Sequence, residues 1–97
     1  MLNSVFKTAN GSFGLSMKIN LLAFAGLKDA LGFEKAELEL PNKATVEDAL
    51  TWLTERHPQI KPIASVLCAA IDQEFAEPTA PLHDGCELAL FTPVGGG

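Results

Sequence analysis

Cysteine, histidine and basic residues are all scarce in this chain of 97 residues, which holds 2 Cys, 2 His and 7 Lys or Arg against 12 Asp or Glu. Cys68 and Cys86 stand 18 residues apart, a spacing that matches no zinc or redox motif, and His57 and His83 stand alone rather than in ligand-like pairs. Buried, reduced thiols and no metal are therefore expected. The net charge of −5 and isoelectric point near 4.8 argue against nucleic acid as a partner, because phosphate contact demands a basic face. A basic protein surface is the better match. No apolar run approaches the about 20 residues needed to cross a bilayer, so no membrane span is expected. The sequence also lacks a nucleophile paired with a base, a phosphate-cradling glycine loop before a helix, and a metal-ligand cluster. A stand-alone enzyme is not expected.

What is present suits one compact domain with a small core: 47% of residues are hydrophobic and the mean hydropathy is +0.19. Residues 1–16 form a separate compositional unit, with one lysine, no acid and several Ser, Asn and Gly. They read as a flexible leader, a tag or an upstream start before Met17, and the acidity belongs to residues 17–97. The leader lacks the apolar stretch of a secretory signal and the arginines of a mitochondrial presequence. A cytoplasmic protein is expected, where a structural disulfide would be unusual.

The hydrophobic periodicity then gives an order of elements. Met17 to Phe24 alternates, with Ile19, Leu21 and Ala23 on one face and Lys18, Asn20, Leu22 and Phe24 on the other. Ala25 to Leu31 carries Leu27, Ala30 and Leu31 at helical spacing and is followed by Gly32, a natural helix stop. Lys35 to Leu40 alternates charged and apolar residues until Pro41. Thr45 to His57 predicts the strongest helix. Thr45 can cap it with Asp48 as reciprocal partner, Val46, Ala49, Leu50 and Leu53 share a face, and Pro58 disfavours continuation.

Residues 60–65, interrupted by Pro62, read as a connector with one helical turn. Val66 to Phe75 begins as a continuous apolar run, as expected of a central strand covered on both faces, with Asp72-Gln73 marking a hairpin turn. Asp84-Gly85 is a turn before the last strand, Cys86 to Thr92. Strand, helix, strand, helix, strand, strand describes a small α+β domain with helices against one face of a mixed sheet.

The final residues, Pro93-Val94-Gly95-Gly96-Gly97, leave that last strand without a spacer. Glycine lacks a Cβ, so such a run can thread a channel too narrow for side chains and deliver a carboxylate to another protein's active site. The expected reactive group is the Gly97 carboxylate, with Pro93, Val94, Gly95 and Gly96 as the threading segment.

The segment from Pro81 through Asp84-Gly85-Cys86-Glu87 to Pro93-Val94-Gly95-Gly96-Gly97 resembles the C-terminal signature of the molybdopterin synthase small subunit, a ubiquitin-like sulfur carrier. In that family L-x-D-G-D-E-V-A runs into P-P-V-x-G-G. Met17 to Phe24, and Ala69-Ala70-Ile71-Asp72-Gln73 against A-V-N-Q, extend the resemblance over residues 17–97. Departures are Cys86 where acid is usual, Thr92 for the first proline, and Gly95 where Ser or Thr is common.

The resemblance implies a β-grasp fold over residues 17–92 and a reactive tail over 93–97. It also implies a cycle with several partners. An adenylyltransferase activating enzyme uses ATP and magnesium to convert the Gly97 carboxylate to an acyl-adenylate, and a sulfur donor protein displaces AMP to leave a thiocarboxylate. The large synthase subunit, expected to form a heterotetramer with the carrier, receives the tail, and sulfur passes to cyclic pyranopterin monophosphate to build molybdopterin. By the same resemblance, Leu22, Phe75 and Phe91 match the hydrophobic contact with the large subunit, and nearby acid such as Glu87 faces basic partner residues. A carrier for thiazole, cysteine or tRNA thiolation, or a protein modifier conjugated through Gly97, shares the terminal chemistry and remains an alternative.

Overall fold

The computed structural model describes residues 16–93. Residues 1–15 of the expected leader and Val94 to Gly97 of the expected tail lie outside the described residues. Strand β1 (Ser16–Phe24) begins one residue earlier than its alternation suggests, since Ser16 already pairs with Pro41 and its hydroxyl donates to Glu39 Oε2 at 3.0 Å. Helix α1 (Ala25–Leu31) follows directly and ends at Gly32, whose φ of 88° suits a glycine and whose N–H returns to the Lys28 carbonyl. Strand β2 (Lys35–Pro41) then pairs antiparallel with β1 and presents Leu38 and Leu40 to the core.

Helix α2 (Val46–Arg56) has the capping box read from the sequence. Thr45 N–H donates to Asp48 Oδ2 at 2.9 Å, and Asp48 N–H donates to Thr45 Oγ1 at 3.3 Å. Val46, Ala49 and Leu53 are buried, and Leu50 packs at the margin of the core. A 3₁₀ turn (Pro58–Ile60) and one turn of helix, α3 (Lys61–Ala64), carry the chain back to the sheet. The remaining strands are β3 (Cys68–Ile71), β4 (Glu74–Ala76) and β5 (Glu87–Phe91).

The sheet order is β2-β1-β5-β3-β4, with β1 and β5 parallel and every other neighbour antiparallel. Residues in register share a face. Ile19, Leu21, Ala23, Leu38, Ala69, Leu88 and Leu90 therefore meet Leu27, Val46, Ala49, Leu53 and Ile60 in one core between sheet and helices. The result is a mixed sheet with helices packed on one face, the ubiquitin-like β-grasp expected above.

Two expectations are corrected. The apolar run from Val66 does not make a central strand covered on both faces. Val66 is 53% exposed, the strand starts at Cys68, and only Ala69 within it is buried. The helices cover one side of the sheet, so Cys68 and Ala70 of β3 belong to an open face while Ile71 packs against the core beside Ala69. For the same reason Cys68 is only partly buried, while Cys86 is buried as expected, and both thiols are free.

Candidate functional site: the open sheet face and the root of the tail

The open face follows from the strand register. Leu22 is paired with Ala89 and Phe24 with Phe91 across the parallel strands. Phe91 is in turn opposite Cys68, Ala89 opposite Ala70, and Ala70 opposite Phe75. Side chains in register project to one side, so Leu22, Phe24, Cys68, Ala70, Phe75, Ala89 and Phe91 form one apolar stripe across four strands, on the side away from the helices. Leu22, Phe75 and Phe91 therefore lie on one face, Phe75 beside Phe91 and Leu22 on the far side of β5 from Phe75.

Exposure varies along the stripe. Phe75 is 83% exposed and Phe24 48%, while Leu22 and Phe91 are half-buried and Ala89 lies beneath its neighbours. The Phe75 and Phe91 rings lie 6.2 Å apart between centroids at an angle of 53°, within the range of a favourable aromatic pair. The two exposed phenylalanines, Phe24 and Phe75, thus stand at either end of a partly covered apolar surface. Phe24 is the member that the sequence reasoning assigned to the outward face without assigning it to the contact. The available signal was its i+2 relation to Leu22 on one strand.

Polar groups flank the stripe and fix its strands. Lys35, Glu37 and Glu39 alternate along β2, and Glu87 lies opposite Asn20 on the same side. The Asp84-Gly85 turn is tied to β1, because Lys18 N–H donates to Asp84 Oδ1 at 2.8 Å and Gly85 N–H donates to the Lys18 carbonyl at 2.7 Å. Gly85 has a φ of 82°, which explains glycine there. The β3–β4 hairpin turns through Asp72 and Gln73, both at positive φ as a type I′ turn requires. Asp72 also exchanges backbone bonding with Glu87: its N–H donates to the Glu87 carbonyl at 2.9 Å, and its Oδ1 accepts from Glu87 N–H at 3.0 Å. The acid-rich motif before the last strand is thus a set of staples that holds β5 in place.

Neither histidine joins a cluster. His83 pairs with Asp72 at 3.1 Å and His57 packs edge-on against Phe33. Among the described residues no group of three His, Cys, Asp or Glu is arranged to hold a metal. Burial pushes the Cys86 thiol above its ordinary value, outweighing the backbone hydrogen bond from the His83 segment that acts the other way. That keeps Cys86 protonated and a poor nucleophile.

Strand β5 ends at Phe91, and Thr92 and Pro93 follow at the edge of the open face. Pro93 is exposed, whereas Val94, Gly95, Gly96 and Gly97 lie outside the described residues. A sequence model of the ThiS family matches residues 21–97, from the second half of β1 through the helices and remaining strands to the glycine run. The chain belongs to the ThiS family. Its general role is that of a ubiquitin-like sulfur carrier.

Among relatives of this ThiS-family chain, the molybdopterin synthase sulfur carrier subunit of Chlamydomonas reinhardtii is 31% identical over 83 residues, which are 84% of this chain and 100% of that protein. Among solved structures, the small archaeal modifier protein 1 of Haloferax volcanii superposes with a TM-score of 0.72 at 27% identity, covering 80% of this chain and 99% of that one. A chain of the complex between subunits 1 and 2 of the molybdopterin-converting factor of Helicobacter pylori shares the fold, with a TM-score of 0.60 at 21% identity, over 84% of this chain and 100% of that one.

Proposed function

We propose that this chain is the sulfur-carrier subunit of a molybdopterin synthase, its Gly97 carboxylate cycling through a thiocarboxylate that donates sulfur to cyclic pyranopterin monophosphate. The observation that carries the reading is the continuity of the apolar stripe with the root of the tail: Phe91 belongs to the stripe and stands two residues before Pro93. The likeness to the Chlamydomonas sulfur carrier subunit over that protein's whole length supports it.

The chemistry suits a carrier with no catalytic groups of its own. A carboxylate resists nucleophiles, so the activating enzyme first joins it to the α-phosphate of ATP and releases pyrophosphate. Attack by the terminal sulfur of a donor persulfide on the acyl carbon then expels AMP and leaves an acyl disulfide, and a second thiol attacks the donor's sulfur, forming a disulfide with the donor and releasing the thiocarboxylate. Five residues from Pro93 to Gly97 span at most about 16 Å, enough to enter a buried site while the domain stays outside. The domain positions and the partners catalyse. Leu22, Phe75 and Phe91, joined by Phe24, are the surface offered to the large subunit.

The test is molybdopterin formation from cyclic pyranopterin monophosphate by the large subunit and the preloaded carrier. Deleting Gly97 is expected to abolish thiocarboxylate formation, seen as loss of the mass shift for one oxygen replaced by sulfur, with the fold intact. Full activity without Gly97 refutes the reading. The likeness to an archaeal modifier protein favours one second reading, conjugation to lysines through Gly97, which isopeptide adducts would reveal.

A further inference from the structure

The parallel strands β1 and β5 end at the same level, Phe24 opposite Phe91, and the chain continues from them in two directions. From β1 it turns into α1 through Ala25, held at a φ of 54° that non-glycine residues rarely adopt. From β5 it leaves toward the tail through Thr92 and Pro93. The two paths are joined at one point, where Gly26 N–H donates to Thr92 Oγ1 at 3.3 Å.

Gly26 also makes room for that side chain. A Cβ there would lie 3.2 Å from Thr92 Cγ2 and 3.3 Å from Thr92 Oγ1, tighter than side chains normally tolerate. Thr92 is partly buried, and Pro93 after it disfavours helical backbone at Thr92 and favours an extended one. Side chain, neighbouring backbone and following proline therefore all restrict the last residue before the tail.

We infer that Thr92, held by Gly26, is a positioning residue that sets the direction in which the tail leaves the domain. The inference rests on the proposed role of the Gly97 carboxylate as the reacting end. Direction matters because the error grows with length: a swing of about 30° at the root moves the far end of a 16 Å segment by about 8 Å. Sulfur loading needs the acyl carbon within contact distance of its attacker. The hydroxyl itself touches no reacting atom and acts only through the tail.

Thr92→Val keeps the branched shape and removes the acceptor, and Thr92→Ser keeps the hydroxyl. In the full chain with Thr92→Val, the Gly26 amide is expected to exchange about fivefold faster, as for loss of one ordinary hydrogen bond. The residual dipolar couplings of the residue 92 amide and its Cα–H bond change, and thiocarboxylate loading slows while affinity for the large subunit is unchanged. Thr92→Ser restores all three. Gly26→Ala, which crowds Thr92 without removing its hydroxyl, is expected to alter the same couplings.

Wild-type exchange at Gly26 or wild-type couplings in Thr92→Val overturn the inference, as does a loading defect that serine fails to recover. Exchange and couplings require no sulfur chemistry. Failure of the wild-type chain to acquire a thiocarboxylate, with the couplings behaving as stated, counts against the proposed function and leaves the positioning role standing.

Discussion

Phe75→Ala separates docking from folding more cleanly than any other change on the open face. Phe75 is 83% exposed, so folding removes only about a sixth of its surface, or about 35 Å² of the roughly 200 Å² a phenylalanine can bury. At about 25 cal/mol per Å² that burial is worth about 1 kcal/mol. Its pairing with Phe91 adds at most about 1 kcal/mol more. Truncation is thus expected to cost about 1 to 2 kcal/mol of stability, well below the about 3 to 5 kcal/mol of a core phenylalanine.

The larger share of the ring remains to be covered by a partner. A buried aromatic anchor commonly contributes 2 kcal/mol or more to an interface, about a 30-fold change in Kd. Urea denaturation of Phe75→Ala, read through its midpoint at constant slope, and calorimetric titration with the large subunit measure the two effects. A stability loss above about 3 kcal/mol would make Phe75 part of the core. Wild-type affinity would remove the stripe from the docking surface.

Thr45→Ala removes one half of the capping box at the start of α2 and is expected to lower stability by about 1 kcal/mol, with Thr45→Ser recovering most of it. A loss indistinguishable from zero in the same denaturation assay would show that the box contributes nothing. Cys86 predicts a pH dependence. Burial holds its folded thiol above the ordinary value, so the native state keeps a proton that the unfolded chain releases. The stability of the neutral thiol is fully present below the unfolded value and is lost as pH rises above it. Cys86→Ala is expected to be less stable at neutral pH but to show a shallower decline as pH rises above the ordinary thiol value. An identical decline in both proteins would refute that assignment.

Local chemistry made much of the fold legible. The Thr45–Asp48 box, Gly32 at the end of α1 and Gly85 in the turn all act within a few residues, so the side chains that enforce them stand next to one another in sequence. The two faces of β1 are legible although its alternation is only partial, because Ile19, Leu21 and Ala23 recur at every second position opposite Lys18 and Asn20. Beyond that range the signal fails. A run such as Val66 to Ile71 reports that its side chains avoid water, but not whether a helix of the same chain or another protein covers them. It was therefore read as doubly covered, although one side of β3 is open. Phe24 escaped the site for a related reason. Alternation puts it on the face of Leu22, but its pairing with Phe91 depends on β5, and nothing near residue 24 announces that strand. The bonds from Lys18 to Asp84, from Glu87 to Asp72 and from Gly26 to Thr92 are likewise long-range.

The parallel pairing of β1 with β5 has a consequence for any partner of a carrier built this way. Because Phe91 faces the open side and Thr92 is bonded to the first turn of α1, the tail leaves from the border of the stripe rather than from a remote edge of the domain. A protein that covers the stripe thereby receives the tail within about 16 Å of its own surface, without searching for it. Two proteins that both need the tail cannot both cover the same Leu22, Phe75 and Phe91. On the proposed reading, the activating enzyme and the large subunit then take the carrier in turn, and the order of events follows from occupancy of one face. On that reading the exposed ring of Phe75 is the anchor offered to each partner, and the acidic residues beside the stripe are the charge offered to a basic surface. On the same proposed reading, recognition and delivery are coupled, because the strand that contributes Phe91 to the surface runs on into the segment that ends at Gly97.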